Sequence, residues 1–318
     1  MNAVSESDHA TPRDAGGPDE NHRSYLFDID DVRWLPHLRE RGYAVLTNVL
    51  TPDDVATAKN LLWEDICGAY GVSCDNPSTL SKLSLPFHGI VASMAQTAGT
   101  WHIRGNANVH EAFSTIWDTS DLIASMDAII LWRSDSHHDT EGLHLDQNPF
   151  KKPYLDCIQG MVPLLPVTSD VGGLRVVPFS HTEEARTRFC ERFPEYKYRG
   201  DFLYVDEDPL KPAVLLECGP GDLILWDSRT VHGGTVGPGV GPQSEQTPRI
   251  CRMAITVALT PRAKASQKVL QLRRKGFENG ISFNHCPHEA GTSTGTIQAK
   301  RKKGCKKFDL TESQLKVL

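Results

Sequence analysis

No apolar run in this chain approaches the roughly 18 residues that a membrane span needs; the longest stretches are pieces such as Ala128 to Trp132. No CxxC pair occurs among the eight cysteines, Cys67, Cys74, Cys157, Cys190, Cys218, Cys251, Cys286 and Cys305. That scatter argues against a disulfide framework or a zinc ribbon and fits reduced thiols. The opening MNAVSESDHATPRDAGGPDEN lacks the basic-then-apolar pattern of a secretory signal, so the expected location is cytoplasmic. There is also no cationic excess. With 34 Lys plus Arg against 40 Asp plus Glu, the formal charge is −6. A surface devoted to nucleic-acid phosphates needs clustered cations, so a small-molecule partner is expected, with neither nucleic acid nor membrane. Oligomeric state is not readable from these features.

What is present describes a globular protein. Of 318 residues, 39% are hydrophobic and 23% charged, which is ordinary usage for a chain that buries its own core. Residues 1–23 hold almost nothing apolar and are expected to form a disordered tail, because they bury too little to offset the entropy of ordering. The remainder, 24–318, reads as a single domain. It divides into a helical N-terminal part (24–125), a strand-rich core (about 126–262) and a helical then irregular extension (263–318).

The clearest single element is a helix after Thr51. Thr51 suits the N-cap, Pro52 the first helical position, and Asp53 and Asp54 the positive end of the helix dipole. Val55, Ala58, Leu61, Leu62 and Ile66 follow at helical spacing, and Gly71 is a natural stop. A short helical piece near Asp30 to Arg41 and the β-rich run Tyr43 to Thr47 precede it. From about residue 126, apolar runs of four to eight residues alternate with Gly, Pro, Asp and Ser clusters. The strand candidates are Ala128–Arg133, Cys157–Leu164, Leu174–Val177, Ala213–Leu216, Leu223–Trp226 and Arg252–Leu259. Pro163 implies an edge strand or a bulge. Short strands gathered in one region, preceded rather than alternated by helices, point to a mainly β sandwich or barrel with flanking helices.

Among 13 histidines, the useful ones are those at metal spacing. In Gly142-Leu143-His144-Leu145-Asp146, alternate side chains on an extended strand share a face, so His144 and Asp146 point the same way. His232 follows an apolar run and precedes Gly233 and Gly234, which leave room nearby. Two His and one carboxylate with open positions opposite form the facial triad of non-haem iron oxygenases. His-x-Asp alone is short enough to occur by chance, and His137-His138-Asp139 ranks lower because it sits in a loop-like setting. Arg252, at a strand start, offers a guanidinium fork for a carboxylate.

Together these motifs resemble the phytanoyl-CoA dioxygenase family. The resemblance rests on His144-x-Asp146, on Gly172-Gly173-Leu174-Arg175-Val176-Val177-Pro178-Phe179-Ser180-His181, on Gly221-Asp222-Leu223-Ile224-Leu225-Trp226-Asp227 with His232, and on Arg252 followed by Ala254-Ile255-Thr256. It runs from about Leu38 to about His288. It implies a double-stranded β-helix (jelly roll, cupin-like), Fe(II) held by His144, Asp146 and His232, and Arg252 pairing with the distal carboxylate of 2-oxoglutarate. Arg249 is the rival anchor, because the segment from Thr235 to Pro248 is a long loop. The implied cofactors are Fe(II), 2-oxoglutarate as co-substrate and dioxygen. The implied reaction is an oxidative decarboxylation to succinate and carbon dioxide coupled to hydroxylation of a bound substrate, which need not be an acyl-CoA. Related halogenases replace the carboxylate ligand with a small residue, so Asp146 argues against halogenation. The competing readings are a cupin-like metal-binding protein without turnover and a metal-dependent isomerase or hydrolase needing no 2-oxoglutarate. His285-Cys286-Pro287-His288 lacks partners at zinc spacing and is expected to be structural or part of a pocket wall. His181 is expected to stabilise a turn.

Overall fold

Local chemistry sets the first helix of consequence. In the computed structural model, which describes residues 24–86, 88–206, 208, 212–243, 247–289 and 298–318, a helix spans Pro52–Tyr70. Thr51 and Asp54 exchange the reciprocal bonds of a capping box, and Gly71 closes the helix in the left-handed conformation at φ 66°. The tail expected over 1–23 lies outside the described residues.

Two sheets face one another. The larger has seven strands, in the order Leu26–Asp28, Tyr43–Thr47, Leu223–Asp227, Ile158–Pro163, Ile250–Val257, Ile129–Arg133 and Ile90–Val91. Only its first pair is parallel. The smaller has five strands, in the order Val214–Leu215, Gly172–Val176, His232–Val236, His144–Leu145 and Leu203–Tyr204. Helices cover the outer face of the larger sheet, and the architecture is a jelly roll of the double-stranded β-helix type.

The larger sheet is apolar on both faces, and its side chains divide with a period of two. Ala44, Leu46, Ile129, Leu131, Leu223, Leu225, Met253 and Ile255 face one core, shared with Leu62, Ile66, Trp101 and Phe113 of the helices. Their neighbours Tyr43, Val45, Ile130, Trp132, Ile224, Trp226 and Ala254 face the other, where Leu174 and Val176 of the smaller sheet meet them. Continuous apolar runs are what a strand buried on both sides requires. His144, Asp146, His232 and Arg252, the residues singled out in the sequence, lie on the second of these layers, around a cavity between the sheets.

Three details differ from the sequence reading. Pro163 ends a central strand rather than an edge; it sits on the last residue, where a missing N–H removes least from the ladder. The run taken as Arg252–Leu259 begins earlier, at Ile250, and its end forms a separate ribbon in which Leu259–Pro261 pairs with Leu122–Ala124. Residues expected to be irregular near the end include the helix Glu312–Val317, capped by Thr311. Buried Arg273 donates to the carbonyls of Ala124 at 2.6 Å and Val317 at 3.2 Å and to the backbone oxygen of Leu318 at 3.0 Å, tying that helix to the core. No helix among the described residues is long and apolar enough to cross a membrane.

Candidate metal centre

His144 and Asp146 were expected on one extended strand. The strand itself is only His144–Leu145, and Asp146 lies just past its end. His232 opens the neighbouring strand in direct register with His144. That pairing brings the two imidazole centroids to 4.5 Å. It depends on Gly233, where a Cβ would lie 2.2 Å from the carbonyl oxygen of Gly142. Only glycine lets the two backbones approach so closely.

The same local device orients both rings. His144 Nδ1 donates to the carbonyl of Gly142 at 2.9 Å, and His232 Nδ1 donates to the carbonyl of Thr230 at 2.9 Å. A carbonyl can only accept, so each Nδ1 carries the proton and each Nε2 presents a lone pair. Those Nε2 atoms meet the carboxylate of Asp146. His144 Nε2 is 3.7 Å from Oδ1 and His232 Nε2 is 3.3 Å from Oδ2. One ligand atom from each of the three residues lies within 4.8 Å of the other two, a spacing that suits donors around one transition-metal ion at about 2.0 to 2.2 Å each. Burial, and then the neighbouring His232, pull His144 down to about 4, keeping it neutral at pH 7. Burial pushes Asp146 up, but the surrounding imidazoles, His285 foremost, outweigh it and hold the carboxyl well below its usual range. Two imidazoles with free lone pairs and one ionised carboxylate are the donor set that ferrous iron takes.

Gln159 escaped the sequence reading. Its Nε2 donates to Asp146 Oδ2 at 2.9 Å from inside the strand Ile158–Pro163. A lone amide in an otherwise apolar, fully buried run was the available signal. Loss of such an outer partner costs about 10- to 100-fold in metal affinity. Gln159→Ala is therefore expected to weaken Fe(II) binding by about that factor, with the far-ultraviolet circular dichroism unchanged. An iron titration showing wild-type affinity would exclude the role.

All three residues line a cavity of about 340 Å³ between the sheets, together with Arg252, Trp226, Met161, Phe202 and Phe283. Arg252 is 5% exposed. Its guanidinium lies 4.2 Å above the Trp132 ring and approaches Met161 Sδ at 3.7 Å. It meets no carboxylate among the described residues, and its buried Nε has no acceptor. Burial pulls its pKa down to about 10, so it stays charged. Arg249, by contrast, is exposed and does not line the cavity. His138 is likewise remote from metal chemistry: its Nε2 accepts from the Arg133 backbone at 3.1 Å while the ring stacks on Trp132. His181 Nε2 donates to the Arg39 carbonyl at 2.9 Å, a structural bond.

The segment His285 to His288 has partners that the sequence reading did not see. Asp156, Cys286, His288 and Glu289 bring ligand atoms within 4.8 Å of one another. Lys152 already sits 2.7 Å from Glu289 and 3.7 Å from Asp156, and Lys264 lies 3.5 Å from Asp156, so charges in this cluster are paired internally. The cluster pins the turn that carries His285 to within 3.8 Å of Asp146 Oδ2. Burial alone would lower His288, but its bonds to Asp156 and Cys286 prevail and raise it to about 9 from 6.5. A raised folded-state pKa stabilises in full below the unfolded value and is lost as pH climbs through the folded one. Asp156→Asn is thus expected to lower Tm most below about pH 6.5 and least above about pH 9, the range set by that shift. A Tm deficit that grows with alkalinity would contradict the pairing.

The chain is 28% identical over 274 residues to "Ava biosynthesis cluster protein O" of Aspergillus versicolor, covering 80% of this chain and 86% of that one. Among solved structures, EctD from S. alaskensis, determined with 2-oxoglutarate and 5-hydroxyectoine, aligns at TM-score 0.45 and 15% identity, covering 73% of this chain and 76% of its own. AviO1 from Streptomyces viridochromogenes Tue57 aligns at TM-score 0.47 and 17% identity, covering 74% and 97%. The stretch that holds His144, Asp146 and His232 is also the stretch a family model matches: residues 132–236 are similar to the phytanoyl-CoA dioxygenase (PhyH) family model.

Proposed function

We propose that this protein is an Fe(II)/2-oxoglutarate-dependent dioxygenase that hydroxylates an unactivated C–H bond of a small-molecule or natural-product substrate, with release of succinate and carbon dioxide. The observation that carries the reading is a conjunction: three converging ligand atoms and a buried guanidinium without a carboxylate of its own open into one cavity. His144, Asp146 and His232 would hold the iron, and Arg252 the distal carboxylate of 2-oxoglutarate. When bound, iron with 2-oxoglutarate and dioxygen supplies the oxidising chemistry.

The chain contributes position and environment. The backbone carbonyls of Gly142 and Thr230 fix both imidazole tautomers, and Gln159 fixes the carboxylate. Arg252, pressed against Trp132, has little rotamer freedom left to lose on meeting a carboxylate. The ring of Phe202 stacks on His144 at 4.6 Å and, with Phe283 and Met161, keeps the cavity wall apolar, which excludes water from the reacting groups. A cytoplasmic setting is supported by eight free cysteines.

Purified protein given Fe(II), 2-oxoglutarate and air is expected to form succinate at a rate that needs all three. Protein that binds iron but leaves 2-oxoglutarate intact would instead be a metal-binding scaffold or a metal-dependent isomerase.

A further inference from the structure

One carboxylate in the cavity is not used by this scheme. Glu141 lines the cavity three residues before His144, in the loop that leads into its strand, and is partly buried. Among the described residues it takes part in no hydrogen bond or ion pair. Half-buried carboxylates ordinarily find donors, because desolvation without them is costly. The acidic group next in line, Asp127, does find them: Ser125 Oγ donates at 3.0 Å and Arg104 lies at 3.8 Å. A second acceptor, Oδ1 of Asn284, is buried at the same cavity and has no donor among the described residues either.

Charge sharpens the point, and here the argument rests on the dioxygenase reading. Ferrous iron and the guanidinium of Arg252 together balance Asp146 and the two carboxylates of 2-oxoglutarate. Asp127 is balanced by Arg104. Glu141 then leaves one negative charge in a low-dielectric space, with no hydrogen bond or ion pair to it among the described residues. Burial, and then the like charge of Asp146, push its pKa upward, outweighing the attraction of His88 and His232.

We propose that the substrate is a compact organic cation whose protonated nitrogen pairs with Glu141 while its carbon skeleton rests against Phe202 and Phe283. The cavity of about 340 Å³ is at the small end of the roughly 300 to 1,000 Å³ range for ligand sites, and it must also admit 2-oxoglutarate, so the cation is small. The pairing gives the site both selectivity and register: it ties one end of the substrate and leaves a carbon at the other end to face the metal centre.

The test uses 2-phenylethylamine and its neutral counterpart 2-phenylethanol as probes, added anaerobically to protein already loaded with Fe(II) and 2-oxoglutarate. The visible charge-transfer band is recorded first, then each probe is titrated. The amine is expected to bind at least about tenfold more tightly than the alcohol, equivalent to about 1.4 kcal/mol. In Glu141→Gln the band persists, reporting an intact folded site, and the preference for the amine disappears. Equal binding of the two probes by wild type, no binding of the amine, or a preference that survives in Glu141→Gln overturns the proposal while the dioxygenase reading stands. Wild-type protein that shows no band before any probe is added overturns the dioxygenase reading, and the charge argument with it.

Discussion

Asp146→Ala protein, mixed anaerobically with Fe(II) and 2-oxoglutarate, is expected to show none of the visible charge-transfer band that the wild type develops. Asp146 is the sole anion of the triad, and each of its oxygens faces one imidazole, at 3.7 Å for His144 and 3.3 Å for His232. Removing it leaves two neutral donors to hold a dication. The loss in iron affinity should exceed the roughly 10- to 100-fold that follows loss of an outer-shell partner such as Gln159. His232→Ala should act likewise, since it removes the Nε2 lone pair that the Thr230 carbonyl leaves free. His138→Ala should leave the band intact, because that ring serves the Arg133 backbone and Trp132. Far-ultraviolet circular dichroism checks that each variant folds, since Asp146→Ala also strips Gln159 Nε2 of its acceptor at 2.9 Å. A normal band from Asp146→Ala protein would remove the triad from consideration.

Arg252→Met should separate the co-substrate from the metal. Truncating one member of a buried, hydrogen-bonded charge pair costs about 2 to 5 kcal/mol, or about 30- to several-thousand-fold in affinity. That loss should fall on the Kd for 2-oxoglutarate, with Fe(II) binding unchanged, because Arg252 touches none of the three ligand side chains and lies instead against Trp132 and Met161. Thermal melting gives an independent check. With no 2-oxoglutarate present, the variant should melt no lower than wild type, since an isolated buried cation gives way to an apolar chain of similar length. Adding 2-oxoglutarate at about 100 times its wild-type Kd should stabilise the wild type by about 2.7 kcal/mol and the variant hardly at all. Arg249→Ala should behave as wild type in both assays, its side chain being exposed and outside the cavity. If Arg249→Ala loses 2-oxoglutarate and Arg252→Met does not, the anchor is misassigned.

Much of the architecture was legible because its causes are local. Thr51, Pro52, Asp54 and Gly71 announce a helix through caps that act within four residues. Tyr43 to Thr47 and Leu223 to Asp227 declare strands through unbroken apolar runs. Where local signals were weak, elements were missed. The helix Glu183–Arg192 has no buried residue, so no apolar stripe marks it, only Thr182 as cap and two glutamates behind. Gln159 and Asp156 were overlooked for another reason: a polar residue gains its meaning from what faces it, and these face Asp146 and His288.

From the sequence alone came the donor types, their short-range spacing and the periodicities that make strands and helices, since these depend on the residues themselves and on their nearest neighbours. Only the tertiary structure decided which strands lie side by side, and so that His232 is in register with His144, that Arg252 and not Arg249 turns into the cavity, and that Glu141 stands there with no donor among the described residues. Period two tells a strand which face to bury but not which partner to take. That choice is made by the packing of both sheets at once, and the site exists only where it has been made.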